Sequence, residues 1–350
     1  MRWPWQRRSS RDQLVVSWSD KTFAFVRARG KADGSFEVRQ MGVERQGSDT
    51  PDAFAHRLQA LNLQGLSATV MLRPEQYHFL QIPAPSVPAE ELKSAARYQI
   101  RDMVDTHIDD LTMDVLYVGD GQQKTNPQIF VVAAKTAHIR AAMDLANSMD
   151  WPVTVIDVQE TCQRNLQTAL AKQGGTPERA EASMLINDAQ HALFTISVNG
   201  ELYYTRRLDL PEGFLEMQWT PAEPVIADAP DGYTPVTEYV PDYAGTAPGL
   251  GGASAALSDA DRAQRLVVEV QRSLDLWDRS WSSLPLSGLR VQAGERSAEL
   301  GTWLSRETGQ NVTAMNLEAL FPGLAEHSDV DRNYCVPLLG LLLRDEGSAA

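Results

Sequence analysis

Apolar and polar residues alternate in short runs through "DQLVVSWSDKTFAFVRARGKADGSFEVRQMGV", and this period of two predicts three strands. Ser19-Asp20 and Asp33-Gly34 supply the turns between them. The period then lengthens. Pro51 opens a helix with Phe54, Leu58 and Leu61 on one face, and "LSATVMLR" returns to a strand. The same succession recurs much later: "ASMLINDAQHALFTISVNGELYYTRRLDL" reads as three strands, the last two joined by a tight turn at Asn199-Gly200. A long helix from about Ser258 to Trp281 follows, carrying Leu266, Val270, Leu274 and Trp277 on one face. A strand in "LSGLRVQAG", a helix over 295–308, a short strand in "NVTAMN" and an apolar final helix complete the chain. Three strands, a helix and a strand therefore occur twice.

A separate unit lies between the repeats, from about 73 to 150. "YHFLQIP" is a strand. Pro88 starts a helix whose first turn holds Glu90 and Glu91, where the helix dipole favours anions. Leu92, Ala95, Ala96, Ile100, Met103 and Val104 form its apolar stripe, "TMDVLYV" and "QIFVVAAK" are strands, and Thr136 to Met149 is a second helix. The expected organisation is a tail over 1–12, a first subdomain from 13–72 and 151–178, the inserted α+β subdomain at 73–150, and a second subdomain over 181–345. Residues 209–259 differ in kind: seven prolines and no Lys or Arg predict a solvated, mobile loop, although Trp219, Tyr233, Tyr239 and Tyr243 are more aromatic content than an inert linker requires.

The stretch "YQIRDMVDTHIDDLTMDVLYV" gathers Asp102, Asp105, His107, Asp109, Asp110 and Asp114. A metal or acid–base site is one reading. The other is a helix-to-strand turn in which Asp and Thr satisfy loose backbone groups, with Asp114 facing solvent. No second His/Cys/Asp/Glu cluster at ligand spacing supports the first, so no metal site is expected. There is no Walker-type G-x-x-x-x-G-K and no locally supported Ser-His-Asp set, so no catalytic residue is assigned.

At 350 residues with 22% charged and 43% hydrophobic content, the chain reads as a globular protein able to bury a large core. A net charge of −14 without a Lys/Arg stripe disfavours nucleic acid as a partner. Cys162 and Cys335 lie in segments that read as apolar helices, which suits buried thiols in a reducing compartment, and the cytoplasm is expected. The run Val336 to Leu343, broken by Pro337 and Gly340, falls well short of the ~20 residues of a membrane span. "MRWPWQRR" is cationic without an apolar h-region, so it is not read as a secretory signal. Trp3 and Trp5 suit a membrane interface, and Arg2, Arg7 and Arg8 would be drawn to anionic lipid; a disordered extension is the other reading.

Two repeats with an inserted α+β unit resemble the PilM family of pilus assembly proteins. The match is carried by "ELKSAARYQIRDMVDTHIDDLTMDVLYV" for the inserted unit, by "RLVVEVQRSLDLWDRSW" with "LPLSGLRVQAG" for the second domain, and by "CVPLLGLLLR" for the last helix. The resemblance implies an α/β fold of the actin-like ATPase type, two RNase H-like repeats with a small inserted α+β domain.

The resemblance also places a nucleotide site, and here the sequence departs from it. Members that bind Mg-nucleotide hold it on two hairpins, each with an Asp followed closely by Gly. Ser17 and Ser19 stand where Asp and Gly would be in the first hairpin. The second offers Asn187 and Asp188 without glycine, and the adenine-side loop retains only Gly288 and Gly294. Asp20 and Asp188 are either substitute metal ligands or ordinary turn aspartates. Two functions follow as expectations: a nucleotide-independent scaffold at the inner membrane, or a working ATPase or ATP-gated switch, with Mg-ATP the one cofactor the fold admits. The resemblance further implies that the inserted unit docks a cytoplasmic peptide of an inner-membrane pilus protein, with Arg97, Tyr98 and Arg101 as contact candidates, and it admits an assembly ATPase as a second partner.

Overall fold

A computed structural model describes residues 12–19, 21–121, 126–219 and 259–344. The basic tail with Arg2, Trp3, Trp5, Arg7 and Arg8, the turn residue Asp20, and residues 220–258 of the proline-rich stretch lie outside the described residues.

The first repeat opens with β1 (Asp12–Ser19), β2 (Thr22–Gly30) and β3 (Phe36–Arg45), followed by α1 (Pro51–Gln59) and β4 (Ala68–Met71). The inserted unit contributes β5 (Tyr77–Pro83), α2 (Ala89–Gln99), β6 (Leu111–Tyr117), β7 (Gln128–Lys135) and α3 (Thr136–Ser148). The chain then returns to the first repeat through β8 (Val153–Asp157) and leaves it along α4 (Gln159–Gln173). The second repeat comprises β9 (Ala180–Leu185), β10 (His191–Val198), β11 (Glu201–Asp209), α5 (Asp259–Ser280), β12 (Leu286–Gln292), α6 (Ser297–Thr308), β13 (Val312–Ala314) and α7 (Asp329–Leu342).

The duplication read from the sequence is a duplication of topology. One sheet runs β3-β2-β1-β4-β8 and the other β11-β10-β9-β12-β13. In each, the first three strands are antiparallel and the next two join in parallel. Local chemistry sets the element ends. Thr50 caps α1 by accepting a hydrogen bond from the Ala53 N–H at 3.3 Å, and Pro51 fills the first helical position. Asn199 and Gly200 take φ of 52° and 87°, the left-handed pair that a two-residue hairpin loop between β10 and β11 requires.

The long helices exchange partners. α4, delivered by the first repeat, packs on β9, β10 and β11, while α7, delivered by the second, packs on β1, β2, β3 and β4. Most of α4 is buried although its sequence is polar. Its inward amides account for this. Gln163 Nε2 donates to Ser183 Oγ at 2.8 Å and Leu193 O at 3.0 Å, and Gln167 Nε2 donates to Glu181 O at 2.8 Å and Thr195 O at 3.2 Å. The two helices meet at Gly340, whose carbonyl accepts from Asn165 Nδ2 at 3.0 Å. Cys162 and Cys335, one on each helix, are buried free thiols, and burial raises both pKa values well above the ordinary range.

Two expectations need correction. The inserted-unit helix ends at Gln99, with buried Ile100 as its cap, so Met103 and Val104 are not on a helical stripe; Met103 is 51% exposed. The residues after it form a turn in which Thr106 Oγ1 donates to Asp105 Oδ1 at 3.1 Å and Asp109 N–H donates to His107 Nδ1 at 3.4 Å. The proline-rich stretch is not solvated at its start. Phe214, Met217 and Trp219 are buried, with Trp219 stacked on Phe214 and Trp303 and covered by the Arg296 guanidinium at 3.8 Å from the ring centroid. The aromatic residue that looked excessive for a linker belongs to the core of the second repeat.

Candidate functional site

The N-terminus of α4 lies where both repeats and the inserted unit converge. Trp18 O, near the end of β1, accepts from Gln76 Nε2 at 3.2 Å, and Gln76 is followed in the chain by Tyr77, which bonds to α4. The β9–β10 hairpin reaches it through Asn187, whose Oδ1 accepts from Gln159 Nε2 at 3.3 Å. A helix N-terminus between two hairpins is an attractive place for an anion, because its first N–H groups lack intrahelical partners. In this chain the first two of those groups are already engaged. Val158 N–H donates to Asp157 Oδ1 at 2.9 Å, and Gln159 N–H donates to the Tyr77 hydroxyl at 3.2 Å.

Tyr77, from β5, is the centre of a latch that joins all three parts of the molecule. Its hydroxyl donates to Glu160 Oε2 on α4. Arg207, from β11, donates through Nη2 to Glu160 Oε1 at 2.9 Å and through Nη1 to Pro74 O at 3.1 Å, with its guanidinium 5.2 Å from the Tyr77 ring centroid. Both carboxylate oxygens of Glu160 are thus satisfied inside the fold, where its side chain is only 2% exposed. Burial, followed by the Glu160 charge, pushes the Tyr77 phenol well above its ordinary pKa and keeps it neutral. Burial opposes the charge on Arg207, but Tyr77 and Glu160 outweigh it and hold its pKa above the usual value. A neighbouring contact closes the same region: Arg73 donates to the Tyr334 hydroxyl of α7 and lies 5.0 Å from that ring's centroid.

The residues singled out in the sequence fall around this centre. Ser17 is a buried β1 residue opposite Ala24, and Ser19 pairs with Thr22 at the hairpin end. Asp188 folds over its own turn, its Oδ1 accepting from Gln190 N–H at 2.8 Å and His191 N–H at 2.7 Å. Gly294 takes a φ of 60° at the end of β12, and a side chain at Gly288 would place its Cβ 2.9 Å from Asn311 O. Among the described residues, no group of three or more His, Cys, Asp or Glu could hold a metal ion. Tyr77, Glu160 and Arg207 were not candidates from the sequence. Each is an ordinary residue in its own segment, and they lie far apart in the chain.

In the inserted unit, Arg97, Tyr98 and Arg101 separate. Tyr98 is 72% exposed and Arg101 is exposed, but Arg97 is half-buried and donates to Ile108 O at 2.5 Å and Leu111 O at 3.2 Å. It holds the start of β6 against α2. Asp105, Asp109 and Asp110 lie in the intervening turn, and Asp114 faces solvent 3.4 Å from Lys93. Arg97→Ala is expected to lose about 1–2 kcal/mol, since two carbonyls lose a charged donor. Urea titration followed by amide exchange should place that loss in the segment from 100 to 117.

The topology defines a protein of the actin-like ATPase fold, two repeats of one sheet-and-helix pattern with an inserted α+β unit. No protein-family model and no curated protein matches the sequence. Among solved structures, the chain is similar to a protein of a PilM–PilN type IV pilus biogenesis complex, with a TM-score of 0.63 at 16% identity, over 96% of this chain and 99% of that one. Fainter likenesses are to the cytoplasmic domain of EpsL, an inner-membrane component of the type II secretion system of Vibrio cholerae, and to a Bacteroides thetaiotaomicron protein with an actin-like ATPase fold. The first has a TM-score of 0.39 at 17% identity over 57% of this chain and 71% of that one. The second has 0.46 at 10% identity over 89% and 95%. Among the described residues, no helix is long and apolar enough to cross a membrane.

Proposed function

We propose that this chain is a nucleotide-independent cytoplasmic scaffold of a type IV pilus assembly complex, docking a peptide of an inner-membrane partner such as a PilN-like protein. The observation that carries the proposal is the engaged start of α4: the Tyr77 hydroxyl takes the Gln159 N–H, Asp157 takes the Val158 N–H, and the Arg207 guanidinium pairs with Glu160 rather than with a phosphate. With Ser17 and Ser19 in one hairpin and no glycine in the other, these residues do not fit a Mg-nucleotide. Within the PilM family the sequence most resembles MshI of the mannose-sensitive haemagglutinin (MSHA) pilus, which supports the finer assignment to an MSHA-like system. The basic tail, with Arg2, Trp3, Trp5, Arg7 and Arg8, would hold the scaffold at the inner leaflet.

Titration calorimetry with Mg-ATP is expected to give no binding heat. A micromolar dissociation constant that disappears in Asp188→Ala would overturn the nucleotide-independent reading. Docking is expected at the inserted unit, where the edge strand β6 and the exposed Tyr98, Met103 and Tyr117 offer backbone groups and apolar surface together. Pull-down with N-terminal peptides of the inner-membrane assembly proteins should weaken in Tyr98→Ala and Arg101→Glu. Arg97 is the wrong residue for that experiment, because its substitution disturbs the fold of the unit itself. Full retention of the peptide by the Tyr98→Ala/Arg101→Glu variant would place docking elsewhere.

A further inference from the structure

The outer face of α5 is unusual for so acidic a chain. Its inner face buries Ala263, Leu266, Val267, Val270, Leu274 and Trp277 in the core. On the opposite side Arg265, Val268, Arg272, Leu276 and Arg279 follow one another at spacings of three, four, four and three residues, and all five are exposed. At 100° per residue they fall within an arc of about 80° and extend about 21 Å along the helix. Val268 and Leu276, at 44% and 49%, are two of the few large apolar side chains exposed in the described structure. Both recur at an 11-residue interval with an arginine, 265 with 276 and 268 with 279, which keeps the stripe straight along the helix.

Two of the three arginine charges on this face are not internally neutralised. Arg272 pairs with Glu269 at 2.5 Å, and Glu269 also receives Arg206. Arg265 and Arg279 have no carboxylate partner among the described residues. Acidic groups adjoin the stripe: Asp261 precedes it in line, and Asp275 lies on one shoulder. That flanking decides the shape of the partner. A flat anionic membrane touching the arginines would also meet Asp261 and Asp275, in a chain whose net charge is −14. A helix-wide partner touches the stripe alone.

We propose that the Arg265–Val268–Arg272–Leu276–Arg279 face of α5 docks an acidic amphipathic helix of another protein. Carboxylates at heptad-like spacing meet Arg265, Arg272 and Arg279, and apolar side chains between them cover Val268 and Leu276. Arginine suits this face better than lysine, because its fork binds a carboxylate through two donors. The surface is separate from the inserted unit, so it gives the scaffold a second point of attachment.

The test is fluorescence anisotropy with a labelled synthetic helix of about 21 residues, Glu at a and Leu at d positions, beside a twin carrying Lys for Glu. The acidic helix is expected to bind with a micromolar Kd that weakens with salt, and roughly tenfold more weakly to Arg265→Glu/Arg279→Glu or Val268→Ser/Leu276→Ser. Equal binding of the Lys twin, or undiminished binding to the charge-reversed variant, overturns the proposal. A wild-type dimer in sedimentation velocity that is abolished by Arg265→Glu/Arg279→Glu overturns it in favour of a second copy. Cosedimentation with phosphatidylglycerol vesicles, lost in the same variant, overturns it in favour of lipid.

Discussion

Replacing Gly340 by alanine is expected to cost about 3 kcal/mol or more, and to lower the melting temperature by roughly 4 °C or more for a chain of this size. A Cβ at that position would lie 2.0 Å from the Cys162 carbonyl oxygen and 2.6 Å from its carbon. Both atoms are backbone in the first turn of α4, so no side chain can rotate away. The two helices would have to separate, and α4 carries the Gln163 and Gln167 hydrogen bonds into the second sheet while α7 covers the first. Separation therefore loosens both repeats at once. Gly301→Ala is the control. Its added carbon meets nothing nearer than 3.5 Å in the helix α6, so it should leave stability unchanged or raise it by about 0.5–1 kcal/mol through helix propensity. Differential scanning calorimetry of the two variants reads the contrast directly, and equal melting temperatures would contradict the crossing as described.

Removing the Arg207 side chain should come next in effect, at about 3 kcal/mol, the low end of the range for a broken buried pair because Arg207 is itself 34% exposed. The loss arises from what is left behind: Glu160, charged and 2% exposed, with only Tyr77 to satisfy it. Glu160→Gln should lose less, about 1 kcal/mol, since no charge remains buried and the amide oxygen still accepts a hydrogen bond. Combining it with Arg207→Ala should cost less than the sum of the two, and that non-additivity identifies the pair as one unit. The latch also has a pH signature. Tyr77 has a raised pKa in the folded chain, so its contribution is fully present below the ordinary value of 10.0 and is lost as pH rises through the folded value. Chemical denaturation above about pH 10 should therefore fall more steeply in wild type than in Tyr77→Phe. Tyr203, Tyr334 and the two thiols are shifted in the same direction and give both proteins a common slope.

The inserted unit shows where reading by period succeeds and where it stops. β6 begins with a period of two because α2 covers one side of this small sheet, whereas β7, with Ile129, Phe130 and Val131 all buried, packs on both sides and reads as an apolar run. Met103 and Val104 continue the helical spacing past the end of α2 at Gln99, where the chain turns instead and Thr106 bonds to Asp105. Spacing records which residues share a face only as long as the helix continues. Trp219 failed differently: the composition of 209–259 as a whole is that of a loop, but its first residues fold back onto Trp303, some eighty positions further along.

Arg97 marks a similar limit. Its position off the apolar stripe is legible, but whether an off-stripe arginine is free or spans two carbonyls depends on where the chain goes ten residues later. The acidic turn beside it was read as turn chemistry from residue type alone, and Asp188 likewise, because Asp bonding to backbone N–H groups two and three residues on is a local interaction.

The sequence by itself determined the duplicated pattern of strands and helices, the inserted unit's strands to within a residue, and the tight turn at Asn199-Gly200. All of these follow from short-range periodicity and from residue type. Only the tertiary structure decided that polar α4 is a core helix, that Gly340 is irreplaceable, and that Tyr77, Glu160 and Arg207 close one latch. Those depend on contacts between residues tens to hundreds of positions apart, where burial and pairing arise from the path of the chain and leave no local trace.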